Sequence, residues 1–254
     1  MIAQALSPIL ILGGIKQEVK VFIDQLTDLS EVAIHGLTCH RGTLREHPCV
    51  LAEMGMGKAN AAMVTTLLIT ALQPSLVICA GGGGGLNPSL SWGDTIIVEK
   101  AVHHDYGAIR PAGMTHWPTV NPINWEENPL YLPTDPKFTA LAIKTAQHIS
   151  LPTIQTRFGK RTPQILSGTL ASGDVFVTDP QTRNALWQAL QADLLDMEGA
   201  TVVQVARQLG VASVVIRSIS DIDEYLDLDW ETYFSIAVRN AATVVAELIA
   251  QIDR

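Results

Sequence analysis

The chain is 254 residues long, enough for one large α/β domain or two small ones. Its 17 basic and 25 acidic residues leave a net charge of −8 with no basic stripe, which argues against nucleic acid as a partner. An apolar fraction of 47% excludes a disordered chain and supplies a sizeable core.

The opening stretch, Met1-Ile-Ala-Gln-Ala-Leu-Ser-Pro8, has no Lys or Arg ahead of an apolar run, so it does not read as a secretory signal. The run Ile9–Leu12 stops at Gly13-Gly14, too short for a membrane span, and reads as a first buried strand. A helical pattern from about Gln17 to Leu26 follows. Val50–Ala52 precedes a helix over Ala59–Leu72, which Pro74 stops; the strands Leu76–Ala80 and Thr95–Val98 come next. Tyr106–Pro136 differs: it holds Pro111, Pro118, Pro122, Pro129, Pro133 and Pro136 with Trp117 and Trp125, and reads as a long ordered loop within one domain. Asp196-Met197-Glu198 opens a helix that runs to Leu209, Ser213–Ile219 is another buried strand, and Trp230–Ile252 closes the chain as a long amphipathic helix. Continuous apolar strands alternating with helices predict a single α/β domain over residues 1–254, with a mainly parallel or mixed sheet covered on both faces. Cys39, Cys49 and Cys79 form no C-x-x-C, and Cys49 and Cys79 lie in apolar runs. They read as reduced thiols in a cytoplasmic protein that touches no membrane.

The motifs that carry chemistry are few. The run Gly81–Gly85 follows a strand, where glycines let backbone approach a ligand, although a tight structural turn would use them equally. It fits no dinucleotide fingerprint, and Gly57-Lys58 lacks the rest of a P-loop, so no nucleotide cofactor is called for. His103-His104-Asp105 are adjacent residues whose side chains diverge, and no metal site is expected there. Glu18 places a carboxylate just past the first strand, as either a ligand contact or a solvated first-turn residue helped by the helix dipole. Asp196-Met197-Glu198-Gly-Ala and Arg217-Ser-Ile-Ser220-Asp221 put acids inside apolar surroundings, where they are paired, functional or capping a helix.

Taken in order along nearly the whole chain, these segments resemble the nucleoside phosphorylase/nucleosidase superfamily. They are most similar to its branch acting on 5′-methylthioadenosine and S-adenosylhomocysteine. The strongest matches are Ser172-Gly-Asp174-Val-Phe176-Val177, Asp196-Met197-Glu198-Gly-Ala and Arg217-Ser-Ile-Ser220-Asp221, supported by Glu53-Met-Gly-Met56-Gly-Lys58, Trp92-Gly93-Asp94 and His104-Asp105. The resemblance implies a single α/β domain around a mixed, barrel-like central sheet flanked by helices, with no metal or cofactor. It implies that Glu18 activates a water, that Met197 and Glu198 cover the ribose with Glu198 on its 2′- and 3′-hydroxyls, and that Asp221 faces purine N7 with Ser220 beside it. It also implies that Phe176 stacks on the base, that Val177 contacts its edge, and that Met56 and Ile15 line the pocket.

Two departures stand out. Gly82 occupies a place where the nucleosidases usually carry a small hydroxyl residue, and Asp196 stands where glutamate is usual. The expected reaction is hydrolysis of a purine nucleoside, with a protonated, partly buried Asp221 assisting departure of the base. A phosphate-dependent phosphorylase is the alternative, but Val77–Ala80 carries no arginine and Glu18 would repel phosphate. A non-catalytic nucleoside-binding protein is a third reading, against which the retained Glu18, Glu198 and Asp221 argue. The resemblance further implies a homodimer, and the 106–136 loop is expected to wall the 5′ side of the pocket, in its own or a partner subunit.

Overall fold

The computed structural model of the chain describes residues 7–111, 113–156, 159–221 and 230–253; most of the stretch read for a secretory signal lies outside them. β1 (Ile9–Gly13) shows why the strands form where they do. Its side chains alternate between two cores: Ile9 and Ile11 belong to one, Leu10 and Leu12 to the other. A strand wetted on neither face reads as a continuous apolar run. α1 (Lys16–Ile23) follows, then three antiparallel strands, β2 (Thr27–Ile34), β3 (Leu37–Leu44) and β4 (His47–Glu53). α2 (Lys58–Leu72) ends in a left-handed Gln73 ahead of Pro74. β5 (Leu76–Gly85) and β6 (Thr95–His103) complete the first half.

The second half contributes the short strands β7 (Gly107–Arg110), β8 (Gly113–His116) and β9 (Leu132–Pro133), then α3 (Pro136–Ala146), β10 (Ile154–Thr156), β11 (Gly159–Arg161) and β12 (Ile165–Ser172). α4 (Pro180–Leu190), β13 (Leu194–Asp196), α5 (Gly199–Gln208), β14 (Ser213–Asp221) and α6 (Trp230–Ala250) follow. The strands run in the order β13-β12-β6-β14-β5-β1-β4-β3-β2, and β13 pairs again with β5. That second pairing closes β5, β14, β6, β12 and β13 into a five-stranded mixed barrel, with β14–β6 and β13–β5 antiparallel. The expected barrel-like sheet is therefore present. α2 and α5 cover one core through Ala61, Val64, Leu68, Val202 and Ala206. Val19 and Phe22 of α1, Ala142 of α3, and Ala241, Val245 and Leu248 of α6 cover the other. Glu231–Ala250 has the length and apolarity of a membrane span, but 61% of that window is buried in this packing.

Three expectations need correction. The glycine run does not follow the strand but is its second half: β5 pairs with β14 through Gly81–Gly84 and with β13 through Gly84 and Gly85. Low strand propensity is overridden there because both neighbouring backbones supply ladder hydrogen bonds. The 106–136 segment is not uniformly irregular; β7 and β8 pair as an antiparallel hairpin and β9 joins the edge of β6. The first helix ends at Ile23, with Thr27 already in β2.

Candidate active site

The parallel strands β1, β5 and β14 end at one rim, the short antiparallel β13 runs beside the end of β5, and the acids singled out in the sequence meet there. A cavity at this rim is lined by Ile15, Glu18, Met56, Gly82, Phe176, Val177, Met197, Glu198, Ser220 and Asp221, joined by Arg183, Arg217 and Phe234. All ten expected site residues therefore lie in one place. A groove of about 630 Å³ lies at the opposite ends of β1 and β5, against Ile9, Leu76 and Lys137, and gathers no comparable set of acids.

Glu18 is no solvated helix-start residue. It is 4% exposed, and its Oε2 accepts from the backbone N–H groups of Gly14 (2.6 Å) and Ile15 (3.3 Å). Its Oε1 accepts from Gly82 N–H (2.8 Å) and from Arg217 Nη1 (3.2 Å). The carboxylate fills the space where a side chain at Gly81 would sit, so that glycine is required by close approach. Burial raises the pKa of Glu18 above the ordinary glutamate value, opposed by Arg217 and the three backbone donors.

Arg217 is the hub. Only 1% exposed, it pairs with Glu18 (3.2 Å), Asp196 (2.7 Å) and Glu198 (3.2 Å). Glu198, buried at the start of α5, also accepts from Gly57 N–H at 3.1 Å and lies against Gly14. Burial first, then the neighbouring Asp196 and Glu18, push its pKa up to about 7 against the pull of Arg217. Asp196, the last residue of β13, does different work: it accepts from Ser172 Oγ and from the N–H of Gly199 (2.9 Å), while the N-cap position of α5 is Glu198.

On the far side of the glycine strand, Asp221 Oδ1 accepts from Ser220 Oγ at 3.0 Å. Its Oδ2 pairs with the guanidinium of Arg183, a partner that the sequence did not point to. Gly82 also finds its explanation. A Cβ there would lie 2.6 Å from Phe234 Cε2 and 3.0 Å from Ser220 Oγ, so the α6 ring occupies the space of the missing side chain. Phe176 is 61% and Met56 62% exposed at the rim, Val177 is buried, and Ile15 and Met197 are half-buried.

Lys58 Nζ holds Asp105 (2.5 Å) while its backbone N–H donates to Asp174 (2.7 Å), tying the start of α2, and with it Met56, to the ends of β6 and β12. His103 and His104 diverge as expected, one to Gln204 (2.9 Å) and the other against Gly173. Among the described residues, none from 106–136 lines this cavity, so the loop does not wall the pocket of its own chain. Tyr131 instead anchors it to α4, its hydroxyl donating to Leu190 C=O at 3.0 Å.

Arg183, Arg217 and Phe234 are lining residues for which the sequence implied no role. Arg217 carried a signal, a cation inside an apolar strand; Arg183 and Phe234 carried none.

Residues 8–250 match the family model of the phosphorylase superfamily. The chain is 30% identical over 258 residues to a 5′-methylthioadenosine/S-adenosylhomocysteine nucleosidase of Anoxybacillus flavithermus, covering 97% of this chain and 99% of the relative. Among solved structures it resembles the same-named enzyme of Neisseria meningitidis in complex with methylthio-immucillin-A, with TM-score 0.79, 25% identity, and 97% and 100% coverage of the two chains. A futalosine hydrolase of Helicobacter pylori is similar to the same degree, with TM-score 0.80, 25% identity, and 97% and 99% coverage.

Proposed function

The chain belongs to the phosphorylase superfamily, and from that premise we propose that it is a purine nucleosidase. It uses water to cleave the N-glycosidic bond of 5′-methylthioadenosine, S-adenosylhomocysteine or a related adenosine derivative. The observation that favours water over phosphate is the state of the two arginines lining the cavity. Arg217 is shared by three carboxylates and Arg183 is paired with Asp221, so an incoming phosphate would meet the Glu18 carboxylate rather than an open guanidinium.

Each acid then has a task. Adenine leaves poorly as an anion, so N7 takes a proton from Asp221 as C1′–N9 breaks and the bonding pair passes to the purine. The ribosyl group becomes oxocarbenium-like, and Glu198, on the 2′- and 3′-hydroxyls, adds negative charge beside it. Glu18, fixed by three backbone donors, accepts the proton of the attacking water. Ser220 steadies Asp221, Phe176 and Val177 hold the base, and Met56, Ile15 and Met197 cover the sugar.

The same reading includes a homodimer. Ile109 (92% exposed) and Trp125 (80% exposed) leave a large apolar surface on the 106–136 segment that a second copy would bury, bringing this segment to the partner's 5′ pocket. Light scattering that finds a monomer at micromolar concentration refutes it. The buried, unpaired Cys39, Cys49 and Cys79 accord with the cytoplasmic location included in the proposal, which cell fractionation checks.

The deciding assay is release of free base from a panel of purine nucleosides in phosphate-free buffer. Release that requires phosphate and yields a ribose 1-phosphate derivative overturns the proposal.

A further inference from the structure

Arg183 sits in the first turn of α4, where Asp179 caps the helix by accepting from Thr182 N–H (2.8 Å) and Pro180 starts it. That helix start turns Arg183 inward, where it is 4% exposed, a rare environment for a cation. Its guanidinium joins three separate parts of the barrel rim. Nε donates to Val177 C=O at 3.0 Å, Nη1 lies 3.4 Å from the carbonyls of both Gly85 and Asp221, and Nη2 pairs with the Asp221 carboxylate. Those parts are the segment carrying Phe176 and Val177, the end of the glycine strand β5, and the end of β14. Glycine at position 84 keeps the space between them open, since a Cβ there would lie 3.1 Å from Asp221 Oδ2 and 3.4 Å from Arg183 Nη2.

We infer that Arg183 is the positioning residue for leaving-group activation, holding the Asp221 carboxyl in line with the purine edge and neutralising the carboxylate left when its proton passes to N7. This rests on the nucleosidase reading above. The balance is simple. The Asp221 proton goes to N7, the C1′–N9 pair goes to the base, the water oxygen bonds C1′, and the water proton goes to Glu18. After chemistry Asp221 is an anion, with Arg183 the cation already in contact with it. Glu18 then releases its proton to solvent and Asp221 takes one up from solvent, which restores both groups for the next turnover. Charge that develops during the chemical step is best met by a group in place beforehand. The bonds to Val177 and Gly85 keep the guanidinium from following the carboxylate when the base arrives.

The test is a double-mutant cycle on base release from 5′-methylthioadenosine, with Arg183→Gln, Asp221→Asn and the pair together. A residue that acts through Asp221 loses its effect once Asp221 is changed. Arg183→Gln is expected to lower kcat by about 100-fold with little change in KM, within the range of a general-acid contribution. The double variant is expected to be no slower than Asp221→Asn alone, and Arg183→Lys to recover most of the rate. Additive losses, or a loss confined to KM, overturn the inference and leave Arg183 a structural brace. Should Arg183→Gln leave an unpaired buried carboxylate that prevents folding, the double variant, which leaves no such carboxylate, is compared with Asp221→Asn: an equal kcat supports the inference and a slower one overturns it. A wild-type protein that releases no base from any nucleoside refutes the nucleosidase reading itself, an outcome distinct from an additive cycle.

Discussion

Replacing Arg217 by Met removes one cation from three buried acids at 2.7–3.2 Å. Met matches much of the arginine stem in volume, so the loss is electrostatic rather than a cavity. Breaking a buried ion pair by deleting one partner costs about 3–5 kcal/mol, a large share of the roughly 5–15 kcal/mol that holds a domain together. Glu18 and Glu198 already sit above the ordinary glutamate value while Arg217 pulls both down, so its removal drives both higher. The folded variant then binds more protons than its unfolded chain through the window from the ordinary carboxylate range to above neutrality. Stability in that window falls as pH rises, by about 1.4 kcal/mol per pH unit for each proton retained. Urea unfolding of wild type and Arg217→Met at pH 5.5 and pH 8 is expected to show a deficit larger at pH 8, by about 1.4 kcal/mol for a carboxyl that the variant keeps protonated one pH unit further, with unchanged m-values. An equal deficit at both pH values would mean that Arg217 contributes packing, and the charge argument would fail.

Gly82→Ala is expected to cost about 1–3 kcal/mol by overpacking against Phe234, and Phe234→Leu in the same chain to restore part of that loss in thermal melts. Strictly additive losses would show that ring and glycine are not a matched pair. The proposed base Glu18 works only ionised, and burial raises its pKa, so kcat/KM is expected to fall on the acid side at a pH above the ordinary glutamate value. Because Glu18 and Glu198 interact and share Arg217, the limb reports the pair. A profile flat down to pH 4 refutes this assignment.

The α/β class and the buried strands at Ile9, Leu76 and Ser213 were legible in the sequence because each depends on local pattern, whereas a shared site for Glu18, Glu198 and Asp221 was implied only by the resemblance along the chain. An apolar run bounded by glycine, or an acid ending a strand, carries its meaning within a few residues. Closure of the barrel, the role of Gly81–Gly85 as strand rather than turn, and the hairpin at Gly107–His116 were not legible, because backbone partners far along the chain decided them. The side-chain partnerships followed the same division. Arg217 meets Glu18 across 199 residues, Arg183 meets Asp221 across 38, and Phe234 fills the space left by Gly82. Apolar runs in order determined the strands and helices, and the resemblance implied one site for the three acids; only the tertiary structure decided which cation neutralises which acid, because Coulomb attraction and burial act through distance in space and not along the chain.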